Sequence, residues 1–201
     1  MKMKRTILTT ISVFTFLTGG AQVPTLHWQL ALGGSAYDQA LSVAAMSDGG
    51  CVATGIATSN NGDVSGNHGF GDFWIVKVDS IGTLQWEHTY GGSGDEAAFS
   101  VIQTTDAGYV LAGSSTSSDG DATFNHGLND FWVIRLDTAV TIQWQKSLGG
   151  SSVDIAYDIL ETSDGGYIVA GYTLSNNGDI TTSHGSEDCW IVKLDSIGTI
   201  Q

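Results

Sequence analysis

Proline is nearly absent: one in 201 residues, against 27 glycines. That balance excludes long helices as the main element and predicts short strands joined by many tight glycine turns. Bases are scarce as well. Three of the seven (Lys2, Lys4, Arg5) fall in the first five residues, which leaves Lys77, Arg135, Lys146 and Lys193 against 21 acids. Such a chain repels a phosphate backbone or an anionic bilayer, so nucleic acid is excluded as a partner and cations or neutral polar ligands fit. Long apolar runs are missing too. The longest, Ile7–Leu17, is too short to cross a bilayer, so no membrane span is expected in the mature chain. Cysteine is limited to Cys51 and Cys189, which take the places of aromatic residues in other parts of the chain and are expected as separate buried thiols, not as a disulfide. Low charge does not mean disorder here: 41% hydrophobic residues is enough to build a core, and the length suits one ordinary domain.

Residues 1–21 read as a secretory signal peptide. Lys2, Lys4 and Arg5 make the basic start, Ile7–Leu17 the apolar stretch, and Gly19-Gly20-Ala21 the small residues before a cut at Gln22. The expected location is therefore secreted or extracellular, with attachment to the outer surface as an option.

What is abundant is repetition. Asp72-Phe73-Trp74-Ile75-Val76-Lys77-Val78-Asp79 returns as Asp130–Asp137 and again as Asp188–Asp195, each time 58 positions on. A fixed period of this size points to a repeat architecture. Residues 22–201 are accordingly one repeat region with units 28–85, 86–143 and 144–201. Trp28, Trp86 and Trp144 open them, followed by Gly-Gly-Ser, an acid (Asp38, Glu96, Asp154) and an alanine (Ala40, Ala98, Ala156).

Within each unit four short strands are expected. The first carries Leu41 and Val43, with Phe99, Val101, Tyr157 and Ile159 equivalent, on one face and the alanine on the other. An Asp-Gly-type turn closed by Gly108 in the middle copy leads to a second strand, Cys51–Gly55 and its copies. A polar loop (58–71, 116–129, 174–187) precedes the third strand, which is apolar on both faces. In the fourth strand Leu84, Trp86 and Tyr90 alternate with polar residues. The fold class predicted is all-β: a β-propeller-like array of four-stranded antiparallel blades. Three blades are too few to close a ring, so further blades of a longer chain are expected as partners. The residues around Trp28 match the fourth strand, as if the chain began with the outer strand of another blade.

The sharpest polar set is an aspartate, a histidine five residues on and an aspartate four further: Asp63, His68, Asp72; Asp121, His126, Asp130; Asp179, His184, Asp188. Oxygen and imidazole donors can hold a divalent metal such as calcium, yet the EF-hand loop pattern is absent. The stronger reading is a structural lock in which these side chains satisfy loop backbone groups, and no cofactor is required. Catalysis has little support. No nucleophile elbow, zinc helix or phosphate loop is present. Gly-Gly-Ser reads as a turn, and the acid pair Asp95-Glu96 occurs in one copy alone. The chain is not expected to be an enzyme. Trp74, Trp132 and Trp190 are read as packing between blades and not as a sugar platform.

The full run of landmarks, from Trp28 and Gly33-Gly34-Ser35 through Asp72-Phe73-Trp74 to Asp79-Ser80-Ile81-Gly82, resembles the repeats of secreted Bacteroidetes proteins, and is similar to the SBBP-type bacterial β-propeller repeat. Such proteins often carry a type IX secretion sorting domain, and no such domain is recognisable in these residues. The resemblance covers 28–201 and implies an exported propeller with no defined activity. It also implies O-glycosylation acceptors at Ser80, Thr138 and Ser196, each after an aspartate, although an Asx turn explains the same residues more simply. The expected function is non-catalytic binding or adhesion to glycan or protein at the cell surface. The alternatives are a propeller domain of an exported hydrolase whose catalytic part lies beyond residue 201, or a structural spacer.

Overall fold

The computed structural model describes residues 25–201. The expected signal peptide, 1–21, lies outside the described residues. Eleven strands follow one another: β1 (Asp38–Ala45), β2 (Cys51–Ala57), β3 (Asp72–Val78), β4 (Leu84–Tyr90), β5 (Glu96–Gln103), β6 (Tyr109–Ser115), β7 (Asp130–Leu136), β8 (Ile142–Leu148), β9 (Asp154–Glu161), β10 (Tyr167–Thr173) and β11 (Asp188–Leu194). No helix occurs among the described residues, so none long and apolar enough to cross a membrane is present there. The strands make three antiparallel meanders, β1-β2-β3-β4, β5-β6-β7-β8 and β9-β10-β11, none closed on itself. The third sheet has three strands where four are expected. Beyond β11 a single bridge, Leu194 to Ile200, marks the start of a fourth.

The sheets occupy residues 38–90, 96–148 and 154–194. The second and third sequence units therefore open inside the last strand of one sheet and supply the first three strands of the next. This offset ties consecutive sheets together covalently.

Packing follows from β-branched and aromatic residues on both faces of the third strands. Val52, Phe73 and Ile75 of the first sheet meet Ala98, Leu111, Trp132 and Ile134 of the second in one core. Phe131 and Val133 meet Ala156, Ile159, Tyr167 and Val169 of the third sheet in another. The contact repeats ring for ring: Phe73 lies 4.6 Å from Trp132, and Phe131 lies 4.5 Å from Trp190. Burial of each such ring contributes about 1.5–3 kcal/mol. The Trp74 and Trp132 indole N–H groups donate to Glu87 Oε2 (3.0 Å) and Gln145 Oε1 (2.9 Å). These tryptophans are packing groups with satisfied polar edges.

The first strands of the sheets converge. β1 approaches β5, and β5 approaches β9, while the outer strands β4 and β8 reach the following sheets through their rings, Trp86 lying 5.7 Å from Tyr109 and Trp144 5.8 Å from Tyr167. At this edge the Ser100 hydroxyl donates to Asp158 (2.9 Å), and Phe99 meets Tyr157 edge-on at 5.3 Å.

Two expected alternations are broken by β-bulges. In the first strand Ala98 pairs with Gly113 and Ser100 with Ala112, leaving Phe99 unpaired, and the same shift passes over Leu41 and Tyr157. Ala98 and Val101 consequently face the same core instead of opposite sides. One extra residue inverts the period-2 pattern beyond it. In the fourth strand a shift at Gln85 sends Leu84 to the Trp74 side of the first sheet while Trp86 packs toward the second. The bulge also explains a glycine. A Cβ on Gly113 would stand 1.9 Å from the Ala97 carbonyl oxygen, so the strand runs through this glycine to Ser115 where the sequence suggested it ended.

The turn between first and second strands holds a left-handed residue at Gly49, Ala107 and Gly165 (φ +83°, +66° and +77°), one position before the glycine expected to close it. Ala107 is the only one of the three with a Cβ, and a left-handed alanine costs about 1–2 kcal/mol relative to its relaxed state. The cysteines are not both buried as expected: Cys51 is partly covered and Cys189 is exposed. Each stands on a sheet face that no neighbouring sheet covers.

Candidate functional site

Where one sheet hands over to the next, two polar loops meet: the long loop before the third strand, and the Gly-Gly-Ser crossover after the fourth. The crossover amides need acceptors because the turn leaves them unpaired. Glu96 provides one. Its Oε2 accepts from Gly92 N–H (2.8 Å), and its Oε1 accepts from the Ser115 hydroxyl (2.8 Å) and Ser117 N–H (3.2 Å). Asp154 repeats this with Gly150 N–H (2.8 Å) and the Ser175 hydroxyl (2.8 Å), and Asp38 with Gly34 N–H (2.7 Å) and the Ser59 hydroxyl (2.7 Å).

The structure divides each Asp-His-Asp set between two junctions. The last two members meet locally: Asp72 Oδ2 accepts from His68 N–H (3.0 Å) and lies 2.7 Å from His68 Nδ1. Asp130 Oδ2 accepts from His126 N–H (2.7 Å) and the Ser147 hydroxyl (2.7 Å), with His126 Nδ1 at 2.6 Å. His184 N–H donates to Asp188 (2.7 Å), but its ring stands 3.5 Å away. The first member turns to the preceding crossover instead: Asp63 accepts from Gly33 N–H, Asp121 from Gly91 N–H and Asp179 from Gly149 N–H, at 3.2, 3.3 and 3.1 Å. Asp179 thereby comes within 3.7 Å of His126 Nε2, from the other side of the junction. The histidine of one loop is thus set between its own aspartate and that of the next repeat. No three His, Cys, Asp or Glu side chains group as a metal would need among the described residues.

Asp72 and Asp130 are fully buried, and the Oδ1 of each has no hydrogen-bond partner. A Cβ on Gly91 would touch Asp72 Oδ1 and Glu96 Oε2 at 2.4 and 2.7 Å, so only glycine fits between these carboxyls. Burial pushes the Asp72 carboxyl above its usual value. The His68 hydrogen bonds oppose that shift and the Glu96 charge adds to it.

The other end of the sheets is fixed by ion pairs. Lys77, Arg135 and Lys193 reach turn aspartates Asp48 (2.8 Å), Asp106 (2.5 Å) and Asp164 (2.8 Å). Lys193, then Thr162 and Gly166, hold the Asp164 carboxyl well below the usual range. Lys146 is the base left without a salt bridge among the described residues. It lines a cleft of about 470 Å³ between the second and third sheets, with Phe124, His126, Gln145, Asp179 and Thr199. Phe124 is 57% exposed and sits edge-on to His126 at 4.6 Å. The corresponding cleft between the first and second sheets, lined by His68, His88, Tyr90 and Asp121, has Gly66 at the Phe124 register, and its Tyr90 ring is buried.

Sequence reading missed Phe124 and Lys146. Neither is repeated (Phe124 aligns with Gly66 and Thr182), so a search for periodic residues passes over them. The available signal was the reverse: an aromatic in a loop of Ser, Asn, Gly and Asp, and a base away from the Lys77 register. Ser80, Thr138 and Ser196 are all exposed, on turns where Asp79, Asp137 and Asp195 accept backbone N–H groups two and four residues on. No family model matches the chain, and no curated protein matches it.

Proposed function

We propose that this chain is an exported, non-catalytic binding module whose three sheets form an arc of a β-propeller, and that it takes a neutral glycan in the cleft beside Phe124. Glycan is favoured over protein as the ligand. The observation that carries this is the company Phe124 keeps. An exposed aromatic face beside Gln145, Lys146, Asp179 and Thr199 offers stacking area for a sugar ring together with donors and acceptors for its hydroxyls. The arc is supported by three sheets stacked through one recurring contact with their first strands gathered at one edge. Export rests on the pattern of residues 1–21. A secreted Bacteroidetes-type surface protein is consistent with the repeat landmarks. In this reading the aspartate–histidine pairs are locks between sheets, and Ser80, Thr138 and Ser196 are turn residues open to glycosylation.

A glycan array probed with labelled protein tests the ligand. Saturable binding is expected. Phe124→Ala should weaken it at least about tenfold, as loss of one stacked ring does, with the urea midpoint unchanged. If no glycan saturates, or Phe124→Ala binds as well as the parent, the reading fails.

A further inference from the structure

Every hydrogen bond at the two buried aspartates falls on one oxygen. Asp72 Oδ2 takes the His68 N–H and faces the His68 ring, and Asp130 Oδ2 takes the His126 N–H and the Ser147 hydroxyl and faces the His126 ring. Oδ1 of each has no partner, although both side chains are fully buried. Each Oδ1 is directed at another carboxyl. A Cβ on Gly91 would meet both Asp72 Oδ1 and Glu96 Oε2, and a Cβ on Gly149 would meet both Asp130 Oδ1 and Asp154 Oδ2. At each junction between sheets, two carboxyl oxygens therefore flank a glycine that has no side chain to separate them.

Two ionised carboxylates so placed, and shielded from water, repel one another strongly. The donors around the first pair decide which member is charged. Glu96 has a donor on each oxygen, the Gly92 N–H on Oε2 and the Ser115 hydroxyl and Ser117 N–H on Oε1, as a carboxylate requires. Asp72 is supplied on Oδ2 alone, which is the pattern of a neutral acid whose carbonyl oxygen accepts and whose hydroxyl stands at Oδ1. The charged groups around Asp72 are His68 in its own loop, Glu96 on β5 and Asp121, which binds Gly91 from the following loop, with His88 of β4 in the cleft beside His68. The neighbour that β2 brings is Ala57, which has no charge.

We propose that Asp72 and Glu96 hold one proton between them, carried on Asp72 Oδ1, and that this proton fastens the first sheet to the second. Asp72 opens β3 and Glu96 opens β5, so the pair joins neighbouring sheets at their loop ends. Removing the proton leaves two like charges facing one another across the junction. Burial, the largest cause, pushes the Asp72 carboxyl up, and the Glu96 charge adds to the rise against the His68 hydrogen bonds. The folded chain thus holds this proton more tightly than the unfolded chain does. Its contribution to stability is present in full below the ordinary aspartate value and is lost as pH rises through the raised value of Asp72. Asp164, held low by Lys193, gives the opposite slope, so the effect is read as a difference between parent and variant. The proposal is independent of glycan binding.

Carbon-13 NMR of protein labelled at its aspartate carboxyls tests it, with Asp72→Asn to assign the signal. Asparagine keeps an acceptor at Oδ2 and sets an amide donor where the Oδ1 hydroxyl stands. One carboxyl is expected to stay protonated at a pH where exposed aspartates are ionised, and its signal should vanish in Asp72→Asn. In acid the variant should melt with the parent; above the titration of that carboxyl it should melt at least about 2 °C higher. Asp119→Asn is the control. Asp119 is exposed and its register mates are Asn61 and Asn177, so the Asp72 signal should stay in place. A parent spectrum in which every aspartate titrates with the exposed ones overturns the proposal without any variant. It falls equally if Asp72→Asn melts below the parent at every pH, since Asp72 would then serve His68 as a charged acceptor.

Discussion

The middle and third sheets carry nearly the same third strand. β7 reads Asp130-Phe131-Trp132-Val133 and β11 reads Asp188-Cys189-Trp190-Ile191, yet Val133 is fully buried and Ile191 is 64% exposed. His126 has 23% of its side chain exposed and its register mate His184 has 80%. The strand itself does not bury these groups; the following sheet does. Repetition in sequence thus produces equal backbone geometry and unequal environments, because each repeat completes its core with its neighbour's residues.

The comparison breaks most sharply at the strand's second position. Phe131→Ala should cost about 3–5 kcal/mol, because it empties space between two sheets, whereas Cys189→Ala, at an exposed position, should cost less than about 1 kcal/mol. Urea denaturation of the two variants checks this, and equal losses would mean that the third sheet is covered as fully as the second. Next in size is the lock. Asp130→Ala strips the acceptor from His126 and Ser147 inside a buried site and should cost about 2–4 kcal/mol, against less than about 1 kcal/mol for Asp188→Ala. Calcium or a chelator should leave both melting midpoints in place if the lock is a hydrogen-bonded one, and a shift with metal would reassign it. The smallest effect lies in a turn that owes nothing to stacking. Ala107→Gly should stabilise by about 0.5–1 kcal/mol by relieving a left-handed alanine, and Gly165→Ala, with no atom within 4 Å of its added Cβ, should lose a similar amount. Thermal melts of these two variants should move in opposite directions.

Much of the fold was legible because strand positions, turns and the 58-residue period are local properties. The third strands begin and end where the Asp-Phe-Trp and Lys-x-Asp landmarks place them. The bulges were not legible. Nothing about Phe99 or Gln85 in the chain announces that its neighbours pair past it, and the faces assigned to Leu84 and Val101 were wrong for that reason. The candidate site was half legible. His126 and Asp130 are four residues apart and meet through the loop they share, whereas Asp179 reaches the same histidine from 53 positions further along the chain. A motif search within one repeat groups the wrong aspartate with the histidine.

By itself the sequence determined an all-β repeat: glycine turns, apolar two-faced strands and a constant spacing leave few other ways to pair the backbone. It also determined the acidic balance of the chain, 21 acids against seven bases. Only the tertiary structure decided which of the repeated residues are equivalent in fact. Stacking buries Phe131 and exposes Cys189, gives Asp72 and Asp130 their unpartnered buried oxygens, and brings Phe124 and Lys146 to one cleft. The physical reason is that burial and desolvation are pairwise properties of neighbouring sheets, and a sheet at the end of a stack has one neighbour where a middle sheet has two.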